Sequence, residues 1–337
     1  MSQEMKANAN SQADSGRHMS ETLDVSVGGK RTALPALTIC GVTVVSRGRF
    51  PRIGEIFDEY WLERDQLPDI ELVIAELKNR KVKLDIFTFS QRVPETTPKH
   101  GFYSELDNYA VLPVSTHKEW LERQIPATTR RNIRASEKRG ITVRVSAYDD
   151  DYVEGIMSIY NETPIRAGRR FWHFGKSFET TKAENGTYRE RSTYLSAYRG
   201  DEMVGYLKIV WDAHTAAIMQ ILSKLSVRDC RPNNALLSEA VNQCAMRNVN
   251  YLLYEKFDYG NKVGDSLTRF KQSNGFCRMD VPRYYVPLTS MGMLALRLGI
   301  HKRLAERAPE WLAAPFRNLR TKWHERHVKA TQDGAQS

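Results

Sequence analysis

Ala217-Ile-Met-Gln-Ile-Leu-Ser-Lys-Leu-Ser226, then Arg228-Asp-Cys-Arg-Pro-Asn-Asn234, Ala235 to Met246, Asn250-Tyr-Leu-Leu-Tyr-Glu-Lys-Phe257 and Gly264 to Gly275 are the runs that decide the fold. The first run is apolar-rich, alternates in part, and lies between polar boundaries at Asp212 to Thr215 and Arg228 to Asn234, which predicts a buried strand. Ala235 to Met246 places Leu236, Leu237, Ala240, Val241, Cys244 and Ala245 on one helical stripe, with Asn233 or Asn234 as N-cap and Asn248 as stop. Asn250 to Phe257 predicts a second strand. Gly264 to Asn274 predicts a short helix closed by Gly275 in a left-handed cap. The order is strand, loop, helix, strand, helix. Unpaired amides and the helix dipole converge on the loop before the first helix and suit an anion there.

Upstream, Ile53, Ile56, Phe57, Tyr60 and Trp61 recur at helical spacing, predicting a helix over Phe50 to Arg64, ended by Pro68. Ile70 to Arg80 predicts a second helix, and Leu37 to Val45 a strand pair or a strand bent at Gly41. Leu84 to Ser90 and Asn108 to Val114 read as strands, Pro113 marking an end or an edge. Thr116 to Arg139 is helical, basic and divided by Pro126. Ile141 to Val145 is a strand and Asp150 to Glu162 a helix, and Tyr188 to Tyr198 with Met203 to Trp211 forms a hairpin. Arg278 to Pro287 closes the strand series. The expected organisation is a polar disordered tail over 1–33, a reduced N-terminal half-domain over 34–115, a core over 116–289 and a basic amphipathic helical extension over 290–337. No internal repeat is visible.

The 337 residues carry a formal charge of +10, which favours an anionic partner such as a phosphate-rich donor, nucleic acid or an acidic membrane surface. Four cysteines without a C-x-x-C pair indicate free thiols and give no zinc or redox signature. No apolar leader and no apolar run of spanning length occur, so the expected compartment is the cytoplasm.

Five stretches have the composition for chemistry. Arg228, Arg231, Asn233, Asn234 and Ala235 occupy the strand-to-helix loop and form a candidate pyrophosphate cradle, although no glycine eases a close backbone approach. The alternative is a plain polar turn. Glu255 and Asp258 end a core strand, where a carboxylate can act as general base, and Lys271 can stabilise an oxyanion. A solvated strand end competes with that role. Arg130, Arg134 and Lys138 share a helix face that is either an anion rail or a solvated surface. Arg166, Arg169, Arg170 and Trp172 interleave cations with an aromatic, which suits sugar stacking and phosphate pairing, or equally a loop covering the core. His173 reads as a packing residue, and no spacing suggests a metal. The C-terminal basic helices serve either as a cap or homodimer face, or as a contact with an anionic membrane.

The order ending in Asn274-Gly-Phe276 resembles the acyl-CoA core of the GNAT acyltransferase superfamily. Trp120, the run Thr128-Thr-Arg-Arg-Asn-Ile-Arg134 through Gly140, Asn234-Ala-Leu-Leu237 and Phe270-Lys271 are similar to its FemAB-like branch, over roughly Asp107 to Leu288. The resemblance implies an α/β (α+β) fold: a splayed mixed sheet flanked by helices, holding the donor's pantetheine in the splay. It also implies acyl transfer to an amine by direct attack. GNAT loops that bind CoA show Q/R-x-x-G-x-G/A, and Arg228 to Asn233 lacks both small residues. FemAB-like relatives use aminoacyl-tRNA, and Lys271 matches their Phe-Lys position. Tyr284 or Tyr285 is the available tyrosine acid. The expectation is therefore an N-acyltransferase that needs no metal. Its donor is acyl-CoA (acetyl-CoA), and its acceptor is the amine of a sugar, peptide or cell-envelope (exopolysaccharide) precursor. An aminoacyl-tRNA donor, or a non-enzymatic binder of nucleic acid or anionic lipid, are the alternatives.

Overall fold

The computed structural model describes residues 21–27, 30–259 and 266–302. The predicted C-terminal helices beyond Lys302 and the expected tail before Glu21 lie outside them. β1 (Glu21–Val27) and the first four residues of β2 (Lys30–Ile39) fall inside the stretch predicted to be a loose tail. The two pair antiparallel, and Leu23, Val25 and Ala36 are buried against Val45 and Phe57. A few inward apolar side chains in a polar sequence were enough, because β3 (Val42–Arg47) supplies the partner strand. Cys40 and Gly41, both at positive φ, make the two-residue turn between β2 and β3.

Phe50 to Arg64 is not a helix. Ile53–Ile56 is the strand β4, paired with β3 on one side, and short 3-10 turns follow at Glu59–Trp61 and Arg64–Gln66. Sheet pairing overrode the apparent 3.6 period. Gly54 lets the chain approach its neighbour so closely that a Cβ there would meet Leu84 Cδ1 at 2.6 Å. Helix α1 (Ile70–Asn79) starts on Asp69, whose carboxylate accepts from the Glu71 and Leu72 amides, a cap that contributes about 1 kcal/mol. It leads to β5 (Ile86–Ser90), which lies parallel to β4.

β6 (Tyr103–Pro113) ends at the proline, as expected. Helix α2 (His117–Glu119), capped by Thr116, runs through a π-turn to Gln124, and after Pro126 comes α3 (Ala127–Lys138). Next are β7 (Ile141–Ser146), α4 (Asp150–Tyr160), the small ribbon β8 (Ile165–Arg166) and β9 (Arg169–Arg170), and α5 (Phe178–Asn185). β10 (Ser192–Arg199), β11 (Glu202–Trp211) and β12 (Thr215–Ser223) form an antiparallel meander. Helix α6 (Pro232–Met246) crosses over to β13 (Tyr251–Lys256), then come α7 (Ser266–Ser273), β14 (Cys277–Pro287) and α8 (Ser290–Arg297).

Among the described residues twelve strands form one mixed sheet, in the order β1-β2-β3-β4-β5-β14-β6-β13-β12-β11-β10-β7. The order has a two-fold logic that no visible repeat in the sequence marks. β2-β3-β4, helix α1 and β5 repeat the topology of β10-β11-β12, helix α6 and β13. Each half has one parallel pair, β4 with β5 and β12 with β13. The final strands are exchanged: β6 pairs with β13, and β14 pairs with β5. The central pair β6 and β14 runs antiparallel from Cys277 against Val111 to Tyr285 against Tyr103. Strands on either side of residue 115 thus belong to one sheet. Each half keeps its own core, one around Leu112, Trp120, Leu207 and Leu237, the other around Val73, Leu77, Phe87 and Tyr284. Burying a side chain such as Phe87 contributes about 2–3 kcal/mol.

Candidate active site

β12 and β13 pair only from Thr215–Ala217 against Tyr251–Leu253 and then part, which is the splay expected of this sheet. On its other side β13 breaks register with β6 between Leu253 and Lys256, and Glu255 takes a left-handed φ of 48°. A non-glycine residue is strained there, and the bulge re-aims the strand end.

Lys271 from α7 is fully buried at this strand end. Its Nζ donates to the Lys256 carbonyl at 2.5 Å and sits 4.5 Å and 4.8 Å from the Tyr254 and Tyr259 ring centroids. The Glu255 carboxylate lies within electrostatic range of this ammonium and accepts from the Tyr259 hydroxyl at 2.5 Å. Lys271 and Glu255 are therefore brought together as the sequence suggested. Asp258 follows in the same strand end, where it accepts from Thr268 Oγ1 at 3.2 Å and pairs with Arg278 at 3.6 Å.

Tyr259 and Asp258 open onto a cleft of about 1000 Å³ between the two halves, also lined by Asp58, Glu59, Tyr60, Arg92, Asp107, Lys256 and Arg283. An ion-pair chain crosses its floor. Arg283 reaches Asp107 at 2.6 Å and Glu59 at 3.2 Å, and Lys256 reaches Asp107 at 2.7 Å. Burial would raise the Asp107 carboxyl, but Arg283 and Lys256 outweigh it and hold the group below its usual range. Asp58 differs. Among the described residues no basic side chain pairs with it, its φ is 53°, and it accepts a hydrogen bond from the Tyr188 hydroxyl across the two halves. Burial pushes its carboxyl up to about 6, against the lowering by that hydrogen bond. Sequence reasoning missed Asp58 because it lay inside the supposed helix.

Several expected site residues are engaged elsewhere. Tyr284 is fully buried in the N-terminal core, where its hydroxyl donates to Gln91 and accepts from the Lys99 amide at 2.8 Å, so it is not the acid of the Lys271 centre. Arg130 Nη1 bonds the Leu121, Glu122 and Ile125 carbonyls and closes the preceding turn instead of lining a rail. Arg134 is exposed on α3. Arg166 binds Glu162 at 3.1 Å and the Ser223 and Ile159 carbonyls at 2.8 Å and 3.0 Å, which makes it structural. Arg169 and Arg170 are exposed, and Trp172 is covered on one face by Lys176 at 4.0 Å. None of these four lines the cleft. His173 is buried and stacks on Tyr160, and burial lowers its pKa to about 3, consistent with packing.

The loop after β12 departs most from expectation. The Glu162 carboxylate, just beyond α4, accepts from the Leu225 amide at 2.6 Å, the Ser226 amide at 2.8 Å and the Ser226 hydroxyl at 2.7 Å. The amides of Arg228, Cys230 and Arg231 are spent on carbonyls of the same loop. Arg231, at φ 58°, precedes Pro232 at the helix start and is the N-cap in place of Asn233 or Asn234. Asn234 is buried and donates to Asn274 at 3.4 Å, Asn233 Oδ1 is buried without a partner among the described residues, and Ala235 packs on the core. Arg228 and Arg231 stay exposed, and Arg139 clamps the loop through the Asp229 carbonyl. All four cysteines are free, and no metal-binding cluster occurs among the described residues.

No protein-family model matches the sequence. No curated protein matches it. Solved structures do resemble the fold. FemX is similar at TM-score 0.50 and 11% identity, over 78% of this chain and 87% of FemX. A conserved protein of unknown function from Bacteroides thetaiotaomicron VPI-5482 is similar at TM-score 0.50 and 11% identity, over 75% of this chain and 85% of that one. The splay and these likenesses agree: the chain has a FemX-like fold, a splayed mixed sheet flanked by helices.

Proposed function

We propose that the protein is an N-acyltransferase that moves an acyl or aminoacyl group from an activated ester or thioester to an amine held in the cleft between the halves. The observation that carries this reading is Lys271, buried at the diverging end of β13 beside Glu255 and packed on the Tyr259 ring, which itself lines the cleft of a FemX-like fold. The acceptor is read from charge. The cleft walls carry Glu55, Asp58, Glu59, Glu105, Asp107 and Asp258 against Arg47, Arg92, Lys256 and Arg283, a local acidic excess in a chain of formal charge +10. Such a wall favours an ammonium group, as on an amino sugar, a peptide or a cell-envelope precursor. Asp58 is then the base that accepts the amine proton, because a carboxyl titrating near 6 is a better match to neutral pH than an ordinary one. Lys271 stabilises the oxyanion that forms at the attacked carbonyl.

Two donors remain in the reading. Acyl-CoA is the first. Glu162 on the loop amides favours the second, an aminoacyl-tRNA met by the exposed Arg228, Arg231 and Arg134. The test is mass spectrometry of mixed amino-sugar, lysyl-peptide and aminolipid acceptors incubated with acyl-CoAs or aminoacyl-tRNAs. The reading predicts a donor-dependent mass gain, and no gain with either donor class sinks it. A peripheral contact with anionic membrane at the cytoplasmic face is read from Met291, Met293, Leu294 and Leu298, all exposed on or just after α8 beside Arg297. Equal pelleting with liposomes of the full chain and of a chain ending at Thr289 would reject it. No helix among the described residues is long and apolar enough to cross a membrane.

A further inference from the structure

We infer that Glu162 is a resident anion of the β12–α6 loop, and that it sets the donor class by keeping diphosphate-bearing donors such as CoA thioesters off the loop amides. The inference rests on the transferase reading for its consequence, and on geometry for its substance. A turn that leads from a buried strand into a 15-residue helix offers amides to an anion. Here the anion is the protein's own. Both Glu162 oxygens are used, Oε2 on the Leu225 amide and Oε1 on the Ser226 amide and hydroxyl. Arg166 reaches Oε2 at 3.1 Å, so the carboxylate keeps its counter-ion within the same lock. Arg166 also ties the lock to the end of β12 through the Ser223 carbonyl, and its guanidinium lies over the Phe171 ring at 4.7 Å. The Glu162 side chain is 17% exposed and that of Arg166 12%, so the pair is held inside the loop.

The arrangement has a chemical consequence. A carboxylate and a phosphate oxygen compete for the same donors, and a second anion placed beside Glu162 would be repelled while finding those amides taken. A diphosphate seated on these amides must therefore displace Glu162 and leave Arg166 without its partner. An ester-linked donor whose phosphates are met by side chains and not by the loop amides has no need to displace Glu162, because Arg228 and Arg231 are exposed on the loop surface.

The test uses the full chain and two probes, inorganic pyrophosphate and CoA, by calorimetry at fixed ionic strength. The wild-type protein should bind both only weakly. Glu162→Ala, which frees both amides, should bind pyrophosphate about tenfold more tightly or better, as expected for regained hydrogen bonds to a charged group. Equal affinity of the two proteins overturns the inference, whether that affinity is high or low. A second measurement on the wild type covers the case in which the variant does not fold. With 15N-leucine labelling, the Leu225 amide resonance should not move when pyrophosphate is added, and a saturable shift overturns the inference. Failure here is distinct from failure of the transferase reading. Turnover of CoA thioesters by the wild type would sink the role of Glu162 and keep the transferase, whereas absence of any transfer would leave the pyrophosphate result untouched.

Discussion

Replacing Asp58 with asparagine isolates one carboxyl that the cleft holds in an unfavourable state. The perturbation is small: asparagine tolerates the left-handed backbone at φ 53°, and its carbonyl oxygen can still accept from Tyr188. The magnitude follows from burial. The carboxyl titrates near an ordinary 3.8 in the unfolded chain and at about 6 in the fold. The folded state binds this proton more tightly. The group's contribution is therefore fully present below 3.8 and is lost as pH rises through about 6. Between pH 4.5 and 8 the wild-type protein should lose about 2 kcal/mol of stability through Asp58 alone. All other titrating groups are common to both proteins, so their difference isolates this one. Urea denaturation at the two pH values measures it, from midpoints and slopes. The Asp58→Asn protein should lose about 2 kcal/mol less than the wild type across that interval. Equal losses in the two proteins, within about 0.5 kcal/mol, would refute the argument that Asp58 is buried without a cation.

Other substitutions test neighbouring claims. If Asp58 takes the amine proton, wild-type transfer should rise with pH through an apparent pKa near 6, and Asp58→Asn should abolish that limb of the profile. Arg283→Met leaves Glu59 and Asp107 without their shared cation and should cost about 2 kcal/mol or more in chemical denaturation, discounted for the partial exposure of the site. Gly54→Ala drives a methyl group to 2.6 Å from Leu84 Cδ1 and 3.3 Å from Val44 Cγ1, and should lower stability by about 1–3 kcal/mol without altering the cleft charges.

The C-terminal half was legible because its elements carry their own periodicity. The stripe of Leu236, Leu237, Ala240, Val241 and Cys244 is buried as a helix face, and Gly275 sits at φ 87° where a left-handed cap was expected. Glu255 was placed at a strand end from sequence pattern, and Lys271, singled out by its Phe-Lys pair, lies on α7, buried beside it. The N-terminal half was less legible. Ile53, Ile56, Phe57, Tyr60 and Trp61 mimic a helix, but β3 and β5 compete for Ile53–Ile56 and win. The exchange of β6 and β14 leaves no local trace, because pairing partners far apart in the sequence do not affect periodicity. The arginines misled for a related reason. Arg130 and Arg166 look like anion binders in sequence, yet each closes backbone carbonyls, and those carbonyls carry no residue-type signal. Glu162 acts on amides 63 and 64 residues away, so only the folded chain shows that the loop already holds an anion.

Lys271→Met keeps the length and apolar stem of a fully buried side chain and removes only its charge, which alanine would not. Single-turnover transfer by the wild type and by this variant, read as mass gain on the acceptor, addresses the reaction centre most directly. Wild-type protein should transfer, and the variant, still melting cooperatively, should be slower by about a hundredfold. A folded variant that transfers at the wild-type rate would remove Lys271, and with it the end of β13, from the chemistry.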